Sequence, residues 1–415
     1  MANGGEMSGK ITEEGIQRYR NRIGVLARRE DPYNYEATED SIRQYAIYSC
    51  GDDNPLFTDP VYAATTRWGV MTAPPAYVQT MGVFKSAPIP KEVRDAGRGA
   101  LSGVPNYNAG NRWEFYEPVV PGDRIERRFY ISKVEEKRSD FGGGRSVFIH
   151  HTNEYINQRG QLVASLINYF FHVERQASEK RGKNLEVPLF DYDEEYLARI
   201  DEVYEREQLR GGQPRHWEDV TDSEDLSGIV RGPLTTTDII CWHMGQGMGQ
   251  FNVKPLRAGY LNRRKTPNFY TKNPYGVWDA AQRVHWENDR PKKVGMARAY
   301  DYGRVRTQWL LNLISNWIGD EGWIVKSYDE TRKFNYHGDT SWVNGKVTGK
   351  HVDGPDHYVE IDAWIENQRG EVTTTGQVTV LLPSREHGPV RLPGETGRYK
   401  PAPMKTDYSV EVAEA

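Results

Sequence analysis

Two short stretches of the chain carry side chains that could exchange protons. In Val284-His285-Trp286-Glu287-Asn288-Asp289 an imidazole stands among carboxylates, with Asp279 six residues upstream. An imidazole titrates near pH ~6.5, so it can take a proton from water and hand it on at neutral pH. The second stretch, Cys50-Gly51-Asp52-Asp53-Asn54-Pro55-Leu56-Phe57, offers the carboxylate of such an acid/base pair in Asp52. Phe57, five residues on, cannot carry a proton, so either the chemistry is absent or the other half of that pair lies elsewhere.

Further candidates gather downstream of His285. Tyr302-Gly303 opens a helical pattern, where unpaired amides and the helix dipole favour developing negative charge, and Gly303 lets a ligand approach the backbone. Gly303 could equally be a turn glycine. Arg304 and Arg306 follow and could grip phosphates in a bidentate fashion or form ordinary surface ion pairs. His243 ends an earlier helix and either faces a cavity or is a hydrogen-bonded core residue. Asp52 could instead cap a turn, and Glu287 could face solvent. The remaining histidines show no metal spacing, so a metal site is not expected. Gly-rich FGGGRS at 141–146 falls between strands, not between strand and helix, and supports no nucleotide-dependent reaction.

The elements that must position these groups come in two copies. ATEDSIRQYAIYSCG at 37–51 shares its helical apolar spacing with LTTTDIICWHMGQGM at 234–248. Gly122-Asp123 and Gly338-Asp339 each sit between alternating stretches, and the tetrapeptide NQRG recurs at 157–160 and 367–370 between long strands. Each copy reads as helix, loop, second helix, then long alternating strands, an α+β unit with an antiparallel sheet wrapped on a helix. The second helix is plainest at 300–322, where Val305, Trp309, Leu310, Leu313, Ile314 and Trp317 recur at spacings near three and four. From Asp40 to Phe57 is 17 residues and from Asp238 to His285 is 47, so residues 245–274 are inserted just before the histidine. Tyr260, Phe269, Tyr270 and Tyr275 around that insertion could cover a bulky acyl group, or the insertion could pack on itself.

The domain reading is therefore 1–185, a charged linker at 186–225 with a surface helix at 193–208, 226–385, and a tail at 386–415 that is an arm or mobile. A further helix is expected at 12–29, its arginines (Arg18, Arg20, Arg22, Arg28, Arg29) forming a solvated face. At 415 residues the chain is long enough for two domains. With 54 basic and 58 acidic residues spread evenly and a net charge of -4, no field exists to attract nucleic acid or an anionic membrane. No apolar run approaches the ~20 residues of a membrane helix, and no leader-like segment opens the chain, so a cytoplasmic protein is expected. Its two cysteines, Cys50 and Cys241, are expected to be buried and reduced. The 11 Trp and 25 Tyr fill the core or line a cavity or interface.

The segment YAIYSCGDDNPLFTDPVYAATTRWGVMTAPP resembles the MaoC-like dehydratase family, whose (R)-specific enoyl-CoA hydratases carry Gly-Asp-x-Asn-Pro-x-His-x-Asp after a helix. VHWENDRPKKVGMARAYDYG resembles the same family, with Gly295 and Gly303 at 10 and 18 residues beyond His285. The resemblance implies a double hotdog: two long helices, each wrapped by an antiparallel sheet, with the sheets joined side by side. It places Asp52, Asn54 and Phe57 on the motif of the leading copy, with Phe57 in the histidine's place. His285 takes that place in the trailing copy, where Ala280 stands at the aspartate position beside Asp279. It implies a hydratase or dehydratase of 2-enoyl-CoA or 3-hydroxyacyl-CoA, with His285, a carboxylate such as Asp279, and the Gly303 amide as catalytic groups. Asp52, Asn54, Phe57, His243, Glu287, Tyr302, Arg304 and Arg306 are then substrate-binding candidates. CoA belongs to the substrate, no separate cofactor is called for, and a homo-oligomer, dimer or larger, or a heteromer is expected. Rival readings are a thioesterase of the same fold and an acyl-binding subunit without turnover.

Overall fold

The computed structural model describes residues 10–27, 31–84, 89–104, 106–139, 144–174, 186–294, 296–397 and 399–402. Arg28, Arg29, Phe141 to Gly143, Gly295 and the tail beyond residue 402 lie outside them. Twelve strands are described: β1 (Val83–Phe84), β2 (Asn106–Phe115), β3 (Ile125–Ser139), β4 (Gly144–Asn157), β5 (Leu162–Val173), β6 (Ile229–Arg231), β7 (Tyr270–Lys272), β8 (Trp278–Ala280), β9 (Trp323–Thr331), β10 (Ser341–Asp353), β11 (Asp356–Asn367) and β12 (Val372–Leu381). Ten form one sheet in the order β1-β3-β4-β5-β2-β9-β12-β11-β10-β6, while β7 and β8 make a separate hairpin.

The two copies meet at β2 and β9, which pair antiparallel with Asn111 opposite Asp329. A Cβ at Gly110 would stand 2.0 Å from the Asp329 carbonyl oxygen, so only glycine lets the two backbones close there. Each half therefore supplies one side of a continuous sheet, the double hotdog arrangement.

The repeated sequence signals do the same work twice. Gly122 and Gly338 take positive φ, 91° and 86°, in their turns. The following aspartates are then gripped by the recurring tetrapeptide: Gln158 and Arg159 donate to Asp123, and Gln368 and Arg369 donate to Asp339. These bonds tie the strand connections β2–β3 to β4–β5 and β9–β10 to β11–β12. Capping boxes on Thr38 and Thr235 open the matching helices α2 (Glu39–Gln44) and α4 (Thr236–Gln246).

The helix of the trailing half, α5 (Gly303–Ile318), runs through the core with 14 of its 16 residues buried, Val305 to Ile318. It packs against inward residues of the alternating strands, among them Val359, Ile361, Ala363 and Ile365 of β11. The leading half differs from the expected long helix: its place is taken by a six-residue 3-10 turn, Pro75–Thr80. Pro74 and Pro75 start it, and Gly82 stops it at φ 107°, where a Cβ would meet Arg127 at 2.6 Å.

Peripheral elements are also shorter than the sequence suggested. The first helix, α1 (Glu13–Arg20), ends at Asn21 and not near residue 29. The linker helix, α3 (Glu194–Arg206), matches its expected span, and the segment binds the trailing half through Tyr192 on Gly338 and Glu207 on Arg231. After β12 the chain packs as an arm: Val390 joins a cluster with Val325 and Leu381, and Gly394 donates to the Tyr116 carbonyl. Cys50 is buried but Cys241 only half-buried, and both are free thiols. Among the described residues no helix is long and apolar enough to cross a membrane.

Candidate active site

A cavity of about 1950 Å³ opens at the N-terminal end of α5 and runs over the adjoining strands. His285, Tyr300, Tyr302, Gly303 and Arg304 line it together with Gln250, Phe251 and Asn108. His285 closes a short 3-10 turn, Ala281–His285, and is buried. Its Nδ1–H donates to the Tyr300 carbonyl at 2.8 Å, since a carbonyl can only accept. That bond fixes the tautomer and leaves the Nε2 lone pair as the base. Burial, above all, pushes its pKa down to about 3, so the ring is uncharged at neutral pH.

Tyr302 is the hinge of an aromatic stack. Its ring lies against His285 with centroids 3.6 Å apart and against Trp242 at 4.8 Å. Its hydroxyl is hydrogen bonded to His243 Nε2 at 3.1 Å. His243, buried on α4, has a pKa pushed down to about 4 by burial, and its Nδ1 has no partner. Tyr302 lines the cavity, whereas His243 does not and is a buried, hydrogen-bonded residue, the second of the two readings offered for it.

Gly303 is the first residue of α5, and Tyr302 before it makes no side-chain cap. Gly303 and Arg304 at this helix end line the cavity, and the Val305 amide is bonded to the Tyr302 carbonyl. A Cβ at Gly303 would lie 3.1 Å from Asn108 Oδ1, an acceptor from the leading half that is itself buried without a partner.

The structure does not bring a carboxylate to His285. Asp279 accepts from Asn273 Nδ2 at 3.2 Å and from the Ala280 amide, and it does not line the cavity. The loop that was to bring it beside the imidazole instead forms the β7–β8 hairpin. Glu287 lies 3.2 Å from Arg283, whose fully buried guanidinium also approaches Asp289 and donates to Thr271 and Lys272. Arg283 thus holds Glu287, one of the three carboxylates offered to the histidine, together with Asp289. Arg306 is not a phosphate ligand either: it is buried in a two-pronged pair with Asp301, at 2.9 and 3.0 Å.

Asp52, Asn54 and Phe57 lie apart from His285. Asp52 accepts from the Asn54 amide and Asn54 from the Leu56 amide, both at 2.9 Å, a pair of local turn bonds. Burial raises Asp52 to about 6. Asn54 and Phe57 line a small apolar pocket with Trp68, Pro74 and Ile318, at the C-terminal end of α5. A 16-residue helix is about 24 Å long, so this pocket is far from the Gly303 end. Of the inserted segment only Gln250, Phe251 and Asn252 line the large cavity; Tyr260 and Tyr275 are exposed, and Tyr270 is buried against Asn262. Tyr300, Gln250, Phe251 and Asn108 had no motif to mark them; only the YDYG pattern, in which Tyr300 precedes Gly303, could have drawn attention to one. Among the described residues no group of His, Cys, Asp and Glu could hold a metal ion.

Residues 23–166 match the family described as FAS1-like, dehydratase domain region. No functionally curated protein matches the sequence. Among solved structures, one described as a MaoC-like dehydratase shares 14% identity over 86% of this chain and 98% of its own, with a TM-score of 0.56. A putative MaoC domain dehydratase from Chloroflexus aurantiacus shares 13% over 88% and 96%, with a TM-score of 0.50. RV0216 from Mycobacterium tuberculosis, described as having a double hotdog fold, shares 10% over 89% and 99%, with a TM-score of 0.51. Residues 23–166 of the leading half match the FAS1-like dehydratase region, and with both halves closed into one sheet the chain shares the double hotdog fold of these structures.

Proposed function

We propose that the protein is a lyase that adds water to, or removes it from, a CoA thioester with a 2-enoyl or 3-hydroxyacyl group. The observation that carries this reading is the buried His285, whose Nδ1 is tied to the Tyr300 carbonyl, in the same cavity as the uncapped start of α5. The thioester oxygen would sit at the Gly303 amide, where enolate charge is stabilised as it forms. His285 Nε2 would take the proton from water and return it to the α-carbon. Negative charge developing at the helix end raises the proton affinity of the neighbouring imidazole, which offsets its low resting pKa. The CoA part is substrate, so no further cofactor enters.

One observation favours a second reading. No carboxylate stands at the family's position, which Ala280 occupies, so the cavity could bind an acyl thioester without turning it over. A panel of 2-enoyl-CoA thioesters decides: loss of conjugated-enoyl absorbance without thiol release supports hydration, thiol release indicates hydrolysis, and binding alone indicates the second reading. His285→Ala must abolish the absorbance change in a folded protein.

A further inference from the structure

Most deeply placed arginines in this chain have an acid partner. Arg306 has Asp301, Arg231 has Glu207 at 2.7 and 2.8 Å, and Arg283 has Glu287 and Asp289. Arg304 has none. Its guanidinium lines the cavity one residue beyond Gly303, and its contacts are Gln250 Oε1 at a long 3.4 Å and the face of Phe251 at 5.5 Å. Among the described residues this half-buried guanidinium makes no ion pair.

Its surroundings include a further donor left without a partner. Gln308, one turn further along α5 on the same face, donates to Gln246 Oε1 at 3.3 Å, which leaves the fully buried Gln246 Nε2 with no acceptor. Gln308 is also bonded to the Tyr45 hydroxyl, in the leading half. A buried cation, Arg127 of β3, donates to Asn153 Oδ1 at 3.0 and 2.7 Å and lies over Tyr155 and Phe84. Burial pulls Arg304 down to about 10, with the charge of Arg127 the next cause. The site is short of one anion.

We infer that Arg304 binds a carboxylate carried by the acyl group, so that the substrate is the monothioester of a dicarboxylic acid with a short spacer. This rests on the thioester reading above. The short spacer follows from the adjacency of Arg304 to Gly303, the seat of the thioester oxygen. A phosphate of CoA is the other anion that a guanidinium could take, and free CoA in the test below distinguishes the two.

The test is calorimetric binding of succinyl-CoA, butyryl-CoA and free CoA to the full chain and to Arg304→Gln, with circular dichroism to confirm folding. The native protein is expected to bind succinyl-CoA ~10-fold or more tightly than butyryl-CoA, and Arg304→Gln to erase that preference. Equal binding of the two thioesters to the native protein overturns the inference and leaves the thioester reading standing. So does a loss in Arg304→Gln that is as large for free CoA as for succinyl-CoA. If none of the three binds, the thioester reading itself falls.

Discussion

The imidazole of His285 lies on the ring of Tyr302, their centroids 3.6 Å apart and their planes 27° from parallel. Tyr302 is in turn held by His243, so a residue on α4 sets the orientation of the base through an aromatic ring. Tyr302→Phe keeps the stack and drops that hydrogen bond; turnover of a 2-enoyl thioester should fall less than ~10-fold and stability by about 1 kcal/mol. Tyr302→Leu removes the stack, and turnover should fall by ~10²-fold or more, toward the level of His285→Ala. Equal kinetics for the Phe and Leu variants would show that the ring does not position the base.

Proton linkage separates the buried groups by sign. His285 and His243, at about 3 and about 4 in the fold, stay neutral where the unfolded chain takes up protons below its pKa of ~6.5. They therefore lower stability as the pH falls from ~6.5 toward 4, and NMR should find both rings neutral at pH 5. A ring that titrates near pH 6 contradicts this placement.

Asp329 acts in the opposite direction. Burial raises it to about 7 against ~3.9 in the unfolded chain, so between those values the fold binds more protons and stability falls as the pH rises. Urea unfolding of Asp329→Asn should show its stability, relative to the native chain, improving from pH 4 to pH 7. A difference that does not change with pH would mean that Asp329 is ionised in the fold.

Gly110→Ala should lower stability by about 3 kcal/mol or more, because the added methyl meets the Asp329 carbonyl at the seam of the two half-sheets. Denaturant unfolding measures it, and a loss under ~1 kcal/mol would mean that the seam can open to accept a side chain.

Arg283→Met should loosen the segment before His285, since the guanidinium holds Thr271, Lys272 and the carboxylates of Glu287 and Asp289. Hydrogen exchange over 250–290 should rise in the variant while exchange in β10 and β11 is unchanged. Unaltered exchange in that segment would place its anchor elsewhere.

The chain order alone determined the repeat, the strand-rich halves and the buried helix at 303–318, because these are written in local periodicity and in motifs a few residues long. NQRG and Gly-Asp were legible as signals, but that one grips the other's aspartate needed the sheet. Whether a carboxylate stands beside His285 was decided by tertiary structure alone: Arg283, whose charge must be neutralised once buried, draws Glu287 and Asp289, while Asp279 stays in its hairpin. The separation of Phe57 from His285 and the arrival of Asn108 beside Gly303 were likewise fixed by the β2–β9 seam. Such pairings depend on burial and charge balance between segments far apart in the chain, and no spacing within either segment encodes them.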